Sequence, residues 1–202
     1  PKAIVAETEE KSEIRAVIGG IRRLVERSET VIRNLLDFSR DKAPNISSFL
    51  LRDVIDQILL LVGKTAQKKK VQIRVTGSEA VQVTSDSGAM QHILFNLVLN
   101  AIDAIEDGGT VEIRYSSSDS GFMVVVEDDG TGICREHMDK IFNPFFTTKG
   151  PDRGTGLGLY LVYNEVKRLG GTIAVESASG GPTRFTVRFE QAGKGERNDE
   201  KR

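Results

Sequence analysis

Tryptophan is missing from this chain of 202 residues, and tyrosine occurs only three times. That leaves little material for stacking platforms that hold single-stranded bases. A dominant charge is missing too: 28 Lys and Arg stand against 29 Asp and Glu, and the formal net charge is -1. No basic field draws in a phosphate backbone, so no nucleic acid partner is expected. The lone cysteine, Cys134, excludes an intramolecular disulfide framework and accords with a reducing compartment. No apolar run approaches the roughly 20 residues that span a bilayer, and no signal peptide opens the chain. A soluble chain is expected. It opens on Pro1 rather than an initiator methionine, which points to a piece of a longer protein whose upstream part leaves membrane attachment open.

What is present divides the chain into 1–43, 44–190 and 191–202. From about Glu7 to Arg40 there is no proline, and apolar residues recur at Ile14, Ile18, Ile21, Val25, Ile32 and Leu35. Ser28 stands where another is due. This spacing is a coiled-coil type of stripe, widened by Val17, Leu24, Val31 and Leu36. A helix of that length extends about 50 Å and cannot bury its stripe alone, so a partner helix, and with it a homodimer, is expected. The tail 191–202 is charged and is expected to be disordered.

Between them, patterning predicts a strand over Ile46 to Leu50 and a helix from about Arg52 to Lys68 with Val54, Ile55, Ile58, Leu59 and Val62 inward. The Lys68-Lys69-Lys70 run reads as a solvated helix end. Val71–Val75 and Val81–Thr84 flank a Gly77-Ser78 turn and read as a hairpin. A helix capped by Asp86 or Ser87 runs to about Glu106, burying Met90, Ile93, Leu94, Leu97, Val98, Ala101, Ile102 and Ile105. Strands follow over Thr110–Ser116 and Gly121–Glu127, then a helix over Leu157–Leu169 and a hairpin of Thr172–Glu176 with Thr183–Phe189. The expected fold class is α+β: a two-layer α/β sandwich, a mixed and mostly antiparallel sheet with helices on one face, preceded by the long N-terminal helix.

Three motifs carry chemistry. Asn96, Asn100 and Asp103 share one helical face, where amide oxygens can hold a hydrated Mg²⁺ and phosphate oxygens without adding much charge; the same face also reads as a solvent-exposed stripe. Asp128 ends a strand before Asp129-Gly130-Thr131-Gly132, so its carboxylate can accept from an exocyclic amine while the glycines admit a flat ligand; taken singly, such a stretch is a turn. Gly154-Thr155-Gly156-Leu157-Gly158-Leu159 precedes a helix and can cradle phosphate with backbone N–H groups. It matches neither the dinucleotide fingerprint nor the mononucleotide P-loop.

In this order the motifs make the chain from Phe49 to Glu190 resemble the ATP-binding catalytic domain of sensor histidine kinases. That domain belongs to the wider superfamily with gyrase, mismatch-repair and heat-shock chaperone ATPases. FNLVLNAIDAI looks like its N box, DDGTGI its first Gly box, IFNPFFTTK its F box and GTGLGL its second Gly box. The resemblance implies that Asn100 ligates Mg²⁺, that Asn96 and Lys149 serve catalysis beside the phosphates, and that Asp128 reads adenine with Gly132 beside the base. It further implies nucleotide contacts from Asp103, Gly130, Ile133, Phe142, Thr148, Gly154, Thr155, Gly156, Leu157 and Gly158, with 142–153 as a mobile lid. The N-terminal helix resembles the second helix of the same kinases' dimerisation and phosphotransfer domain. The only histidines, His92 and His137, match no acceptor position and read as local structural residues. The implied function is transfer of the ATP γ-phosphoryl to a histidine on a helix outside this chain, for relay to a response regulator receiver domain. The implied place is the cytoplasm, whether free or as the cytoplasmic portion of a membrane-bound sensor. An ATP-hydrolysing conformational switch of the same superfamily is the alternative.

Overall fold

The computed structural model describes residues 17–20, 43–150 and 154–190. Residues 17–20 are helical; the rest of the segment expected to form the N-terminal helix, residues 151–153 and the tail 191–202 lie outside the described residues.

Two helices are set side by side by a small sheet that feeds both. Strand β1 (Ile46–Leu50) runs straight into α1 (Leu51–Lys68), and β3 (Gln82–Asp86) runs straight into α2 (Ser87–Ala104). β1 and β3 pair antiparallel, from Ile46 opposite Asp86 to Leu50 opposite Gln82. α1 buries Leu51, Val54, Ile55, Ile58, Val62 and Ala66, one apolar stripe. The N-terminus of α2 is capped by Asp86, whose Oδ1 accepts from the Ala89 N–H at 3.0 Å. All eight residues expected inside along this stretch, Met90 through Ile105, are buried.

The main sheet has five strands in the order β2-β4-β5-β7-β6. These are β2 (Val71–Thr76), β4 (Gly109–Ser118), β5 (Gly121–Asp128), β6 (Thr172–Ser177) and β7 (Thr183–Glu190). β2 lies parallel to β4, and the other neighbours are antiparallel. The third helix, α3 (Gly158–Arg168), joins α1 and α2 over one face of the sheet. That face carries Val111, Ile113, Val124, Val126, Phe185 and Val187 into the core. The other face is crossed by a charged ladder in which Glu127 accepts from both Arg114 and Arg184.

One expectation fails. β2 and β3 do not form a hairpin: β2 joins the main sheet beside β4, and β3 joins β1. Alternation shows that both segments are half-buried strands, but it carries no information on which edge each one meets. The packing of α1 beside α2 settles that. Gly77 belongs to this arrangement rather than to a hairpin turn, since a Cβ there would lie 2.6 Å from the Tyr115 ring on β4.

Leu94 of α2 is fully enclosed between helices and sheet. Leu94→Ala is expected to cost about 2–5 kcal/mol, read as a lower urea midpoint at unchanged slope; a midpoint like that of the unaltered chain would show that the helix does not carry the core.

Candidate functional site

With its apolar face committed to the core, α2 turns Asn96, Asn100 and Asp103 toward a cavity of about 1380 Å³, and all three line it. Asn96 Nδ2 donates to the His92 carbonyl one turn back at 2.8 Å. Its Oδ1 then faces Gly158 at the start of α3, where a Cβ would stand 3.0 Å away. Lys149 reaches across from the Phe/Pro/Thr segment. Its Nζ donates to Asp103 Oδ2 at 2.8 Å and to Asn100 Oδ1 at 3.4 Å. A cation, two amides and a carboxylate therefore meet at one place.

Asp128 forms another part of the wall. It ends β5, the central strand of the sheet, and pairs in register with Val111 on one side and Thr183 on the other. It is 3% exposed, and one of its oxygens accepts from the Gly130 N–H at 3.0 Å. Burial, opposed by that hydrogen bond and reinforced by Asp129 and Glu127, pushes its carboxyl up to about 6. The loop that follows is fastened at several points. Thr110 N–H donates to Asp129 Oδ1 at 2.8 Å, Thr131 N–H to the Ala104 carbonyl at 3.1 Å, and Ile133 N–H to Ser177 Oγ at 2.9 Å. Ser177 and Thr183 share a further hydrogen bond of 2.9 Å.

Two glycines hold conformations that a side chain would spoil. Gly132 has φ 71, and its Cβ would fall 1.9 Å from the Ala178 carbonyl oxygen; Gly156 has φ 68 and would meet the Phe145 carbonyl carbon at 2.3 Å. The cavity gathers Gly132, Ile133, Thr148, Lys149, Gly154, Thr155, Gly156 and Gly158 as well as Asp128 and the α2 residues. It leaves out Gly130, Phe142 and Leu157. Gly130 packs under Ala104 and Asp128, Phe142 lies against the Tyr163 ring at 5.4 Å, and Leu157 is buried.

Several lining residues were not anticipated. Thr183, buried beside Asp128, is brought there by β5–β7 pairing alone. Cys134 lines the mouth. Both histidines line the cavity as well, His137 with its ring 5.5 Å from Phe146. A sequence signal existed for these last three, since His92 lies one turn before Asn96, and Cys134 and His137 follow the first Gly box directly.

No group of three or more His, Cys, Asp or Glu suited to a metal ion occurs among the described residues. A cation here would draw its oxygens from Asn100 and from phosphate, the sparse donor set that Mg²⁺ accepts because it retains water. The long 3.4 Å contact between Lys149 and Asn100 Oδ1 leaves that oxygen readily available. The residues fit such an ion.

Comparison with known proteins places the chain in a family. The family described as histidine kinase-, DNA gyrase B-, and HSP90-like ATPase matches residues 85–193, and the chain belongs to that family. Sensor histidine kinase ZraS of Escherichia coli is 36% identical over 163 residues, covering 80% of this chain and 35% of that protein. Sporulation kinase A of Bacillus subtilis is 29% identical over 165 residues, covering 81% and 27%. The chain thus spans about a third of the length of such relatives. Among solved structures, the catalytic domain of histidine kinase ThkA superimposes with a TM-score of 0.66 at 30% identity, over 72% of this chain and 95% of that one. ThkA in complex with response regulator protein TrrA gives 0.67 at 27% identity, over 83% and 48%.

The buried Asp128 should leave a mark on stability. Its folded-state pKa of about 6 lies above the ordinary 3.8, so the folded chain holds this proton more tightly than the unfolded one. The associated stability is fully present below about pH 4 and is lost as pH rises through 6. Asp128→Asn removes that loss and keeps an acceptor for Gly130. The variant is expected to gain about 1–3 kcal/mol on the unaltered chain at pH 7.5 relative to pH 4, measured by urea unfolding at both values. Equal differences at the two pH values would show that Asp128 is not desolvated.

Proposed function

We propose that this chain is the ATP-binding catalytic portion of a two-component sensor histidine kinase, working with Mg²⁺. The observation that carries the reading is the convergence in one cavity of the Lys149–Asp103–Asn100 cluster with the buried Asp128. Asp128 accepts from the exocyclic amine of adenine, and its register partner Thr183 lies beside it. Gly154, Gly156 and Gly158 open the approach to the start of α3, whose N–H groups and dipole favour phosphate. Lys149 and Asn96 flank the terminal phosphate. Asn100, together with phosphate oxygens, would hold Mg²⁺, which would supply neutralisation of the developing charge. The residues act by positioning and by screening charge. A histidine nitrogen on a segment outside this chain attacks the γ-phosphorus; the bond to the β–γ bridging oxygen breaks and ADP leaves.

ATP hydrolysis as the main activity is less well supported. Its general base would sit at Asn96, whose amide takes up no proton near neutral pH and is tied to the His92 carbonyl. The further partner is a response regulator receiver domain, by analogy with the ThkA complex with TrrA. Homodimerisation through the N-terminal helix and a cytoplasmic place complete the proposal. Among the described residues no helix is long and apolar enough to cross a membrane.

The decisive assay supplies γ-labelled ATP, Mg²⁺ and a separate acceptor helix with its histidine. Acid-labile label on the acceptor with little free phosphate is expected, whereas sustained phosphate release without transfer would favour the hydrolytic switch. Asn100→Ala should weaken Mg-dependent ATP binding by about 10- to 100-fold, measured by calorimetry with and without Mg²⁺; an unchanged affinity would remove Asn100 as a ligand. Because Cys134 is the sole thiol and lines the cavity, Mg-ATP should slow its alkylation by a maleimide. Equal rates with and without nucleotide would place the nucleotide elsewhere.

A further inference from the structure

Lys69 departs from the solvated helix end expected of a lysine run. It follows α1 directly, and its Nζ donates to the carbonyls of Ile102 at 3.0 Å, Asp103 at 3.1 Å and Ile105 at 2.9 Å. An ammonium has three protons, so these bonds saturate it. The acceptors lie at the C-terminal end of α2, where the Ile102 carbonyl also accepts from the Ile105 N–H at a long 3.4 Å and the dipole is negative. The Lys69 carbonyl accepts from the Gly108 N–H at 2.8 Å, so main chain and side chain both grip the corner where α2 leads into β4. The side chain of its neighbour Lys70 makes an exposed pair with Asp107.

The clamp continues toward the nucleotide site. Lys69 Nζ lies 3.7 Å from Asp103 Oδ1, while Asp103 Oδ2 binds Lys149. Asp103 thus stands between two cations, with Lys149 beside Asn100. We propose that Lys69 is a positioning residue for recognition of the terminal phosphate: it fixes the end of α2 and the Asp103 carboxylate, and Asp103 holds the Lys149 ammonium in place before nucleotide arrives. This rests on the assignment of the cavity to ATP. Lys69 is not among the cavity-lining residues and its three donors are engaged, so it acts through Asp103 and not by touching phosphate. The gain is preorganisation. A free lysine side chain samples many rotamers, and one already held by a carboxylate loses less freedom when phosphate comes. Two ammonium groups around a single carboxylate also leave one positive charge for the ligand.

The test compares affinities for Mg-ATP and Mg-ADP, measured by calorimetry on the 202-residue chain. Lys69→Met is expected to reduce the preference for ATP over ADP by about fivefold. Asp103→Asn leaves the carbonyl clamp intact and is expected to do the same, which keeps the test valid if Lys69→Met folds poorly. Lys149→Met should reduce the preference at least as far, and adding Lys69→Met to it should produce no further fall. Lys70→Met serves as the control and should leave the preference unchanged. Equal losses of ATP and ADP affinity in Lys69→Met would mean a merely structural clamp and would overturn the proposal. An unchanged ratio, or additive losses in the double variant, would overturn it too. A chain that binds neither nucleotide in its unaltered form would remove the functional assignment along with it.

Discussion

The packing of α2 against the sheet is the constraint on which the rest depends. Met90, Ile93, Leu94, Leu97, Val98, Ala101 and Ile102 are committed to the core, and an α-helix that buries one side has no freedom in how it turns the other. The 3.6-residue repeat then places Asn96, Asn100 and Asp103 on the cavity side at heights set by the same contacts. Rotation of this helix by one residue would expose leucines and bury amides together. The energy that holds the fold is therefore the energy that aims the polar cluster.

A second constraint comes from the centre of the sheet. β5 has hydrogen-bonded neighbours on both sides, β4 and β7, and carries Asp128 at its end out of contact with bulk water. A carboxylate placed there is costly, and one backbone N–H from Gly130 relieves only part of that cost. Such a group is poised for a ligand that offers a hydrogen-bond donor, which supports the assignment of an amine-bearing base to this part of the cavity. Desolvation tolerated at one strand end is offset by the apolar core on the inner face of the same sheet.

The two constraints are coupled through short links. Thr131 N–H binds the Ala104 carbonyl at the end of α2, and Gly130 lies so close to that same carbonyl that a Cβ could not fit. The loop that follows Asp128 is thus seated on the end of the helix that carries Asn96, Asn100 and Asp103. Lys69 grips the same helix end from α1. One corner of the fold accordingly gathers the end of α1, the end of α2 and the turn after β5, and small displacements there would reach both parts of the site.

The sequence by itself marked the elements from Ile46 to Phe189, the buried sides of α1 and α2, and most of the residues expected to line the candidate site. Periodicity reports burial, and glycine spacing reports where the backbone must come close to something. Asn96, Asn100, Asp128, Lys149 and the glycines of the second Gly box were legible for that reason. Tertiary structure alone decided which strands met: alternation marks Val71–Val75 and Val81–Thr84 as strands, yet their edges find β4 and β1 because hydrogen-bonding edges are alike in all sequences. It decided also that Thr183 stands beside Asp128, that His92 and His137 face the cavity, and that Lys69 in a run of three lysines is a saturated clamp while Lys70 stays in solvent. Local pattern records how far a residue is buried. What it is buried against depends on segments distant in the chain, and that is settled only when the helices and the sheet close around one core.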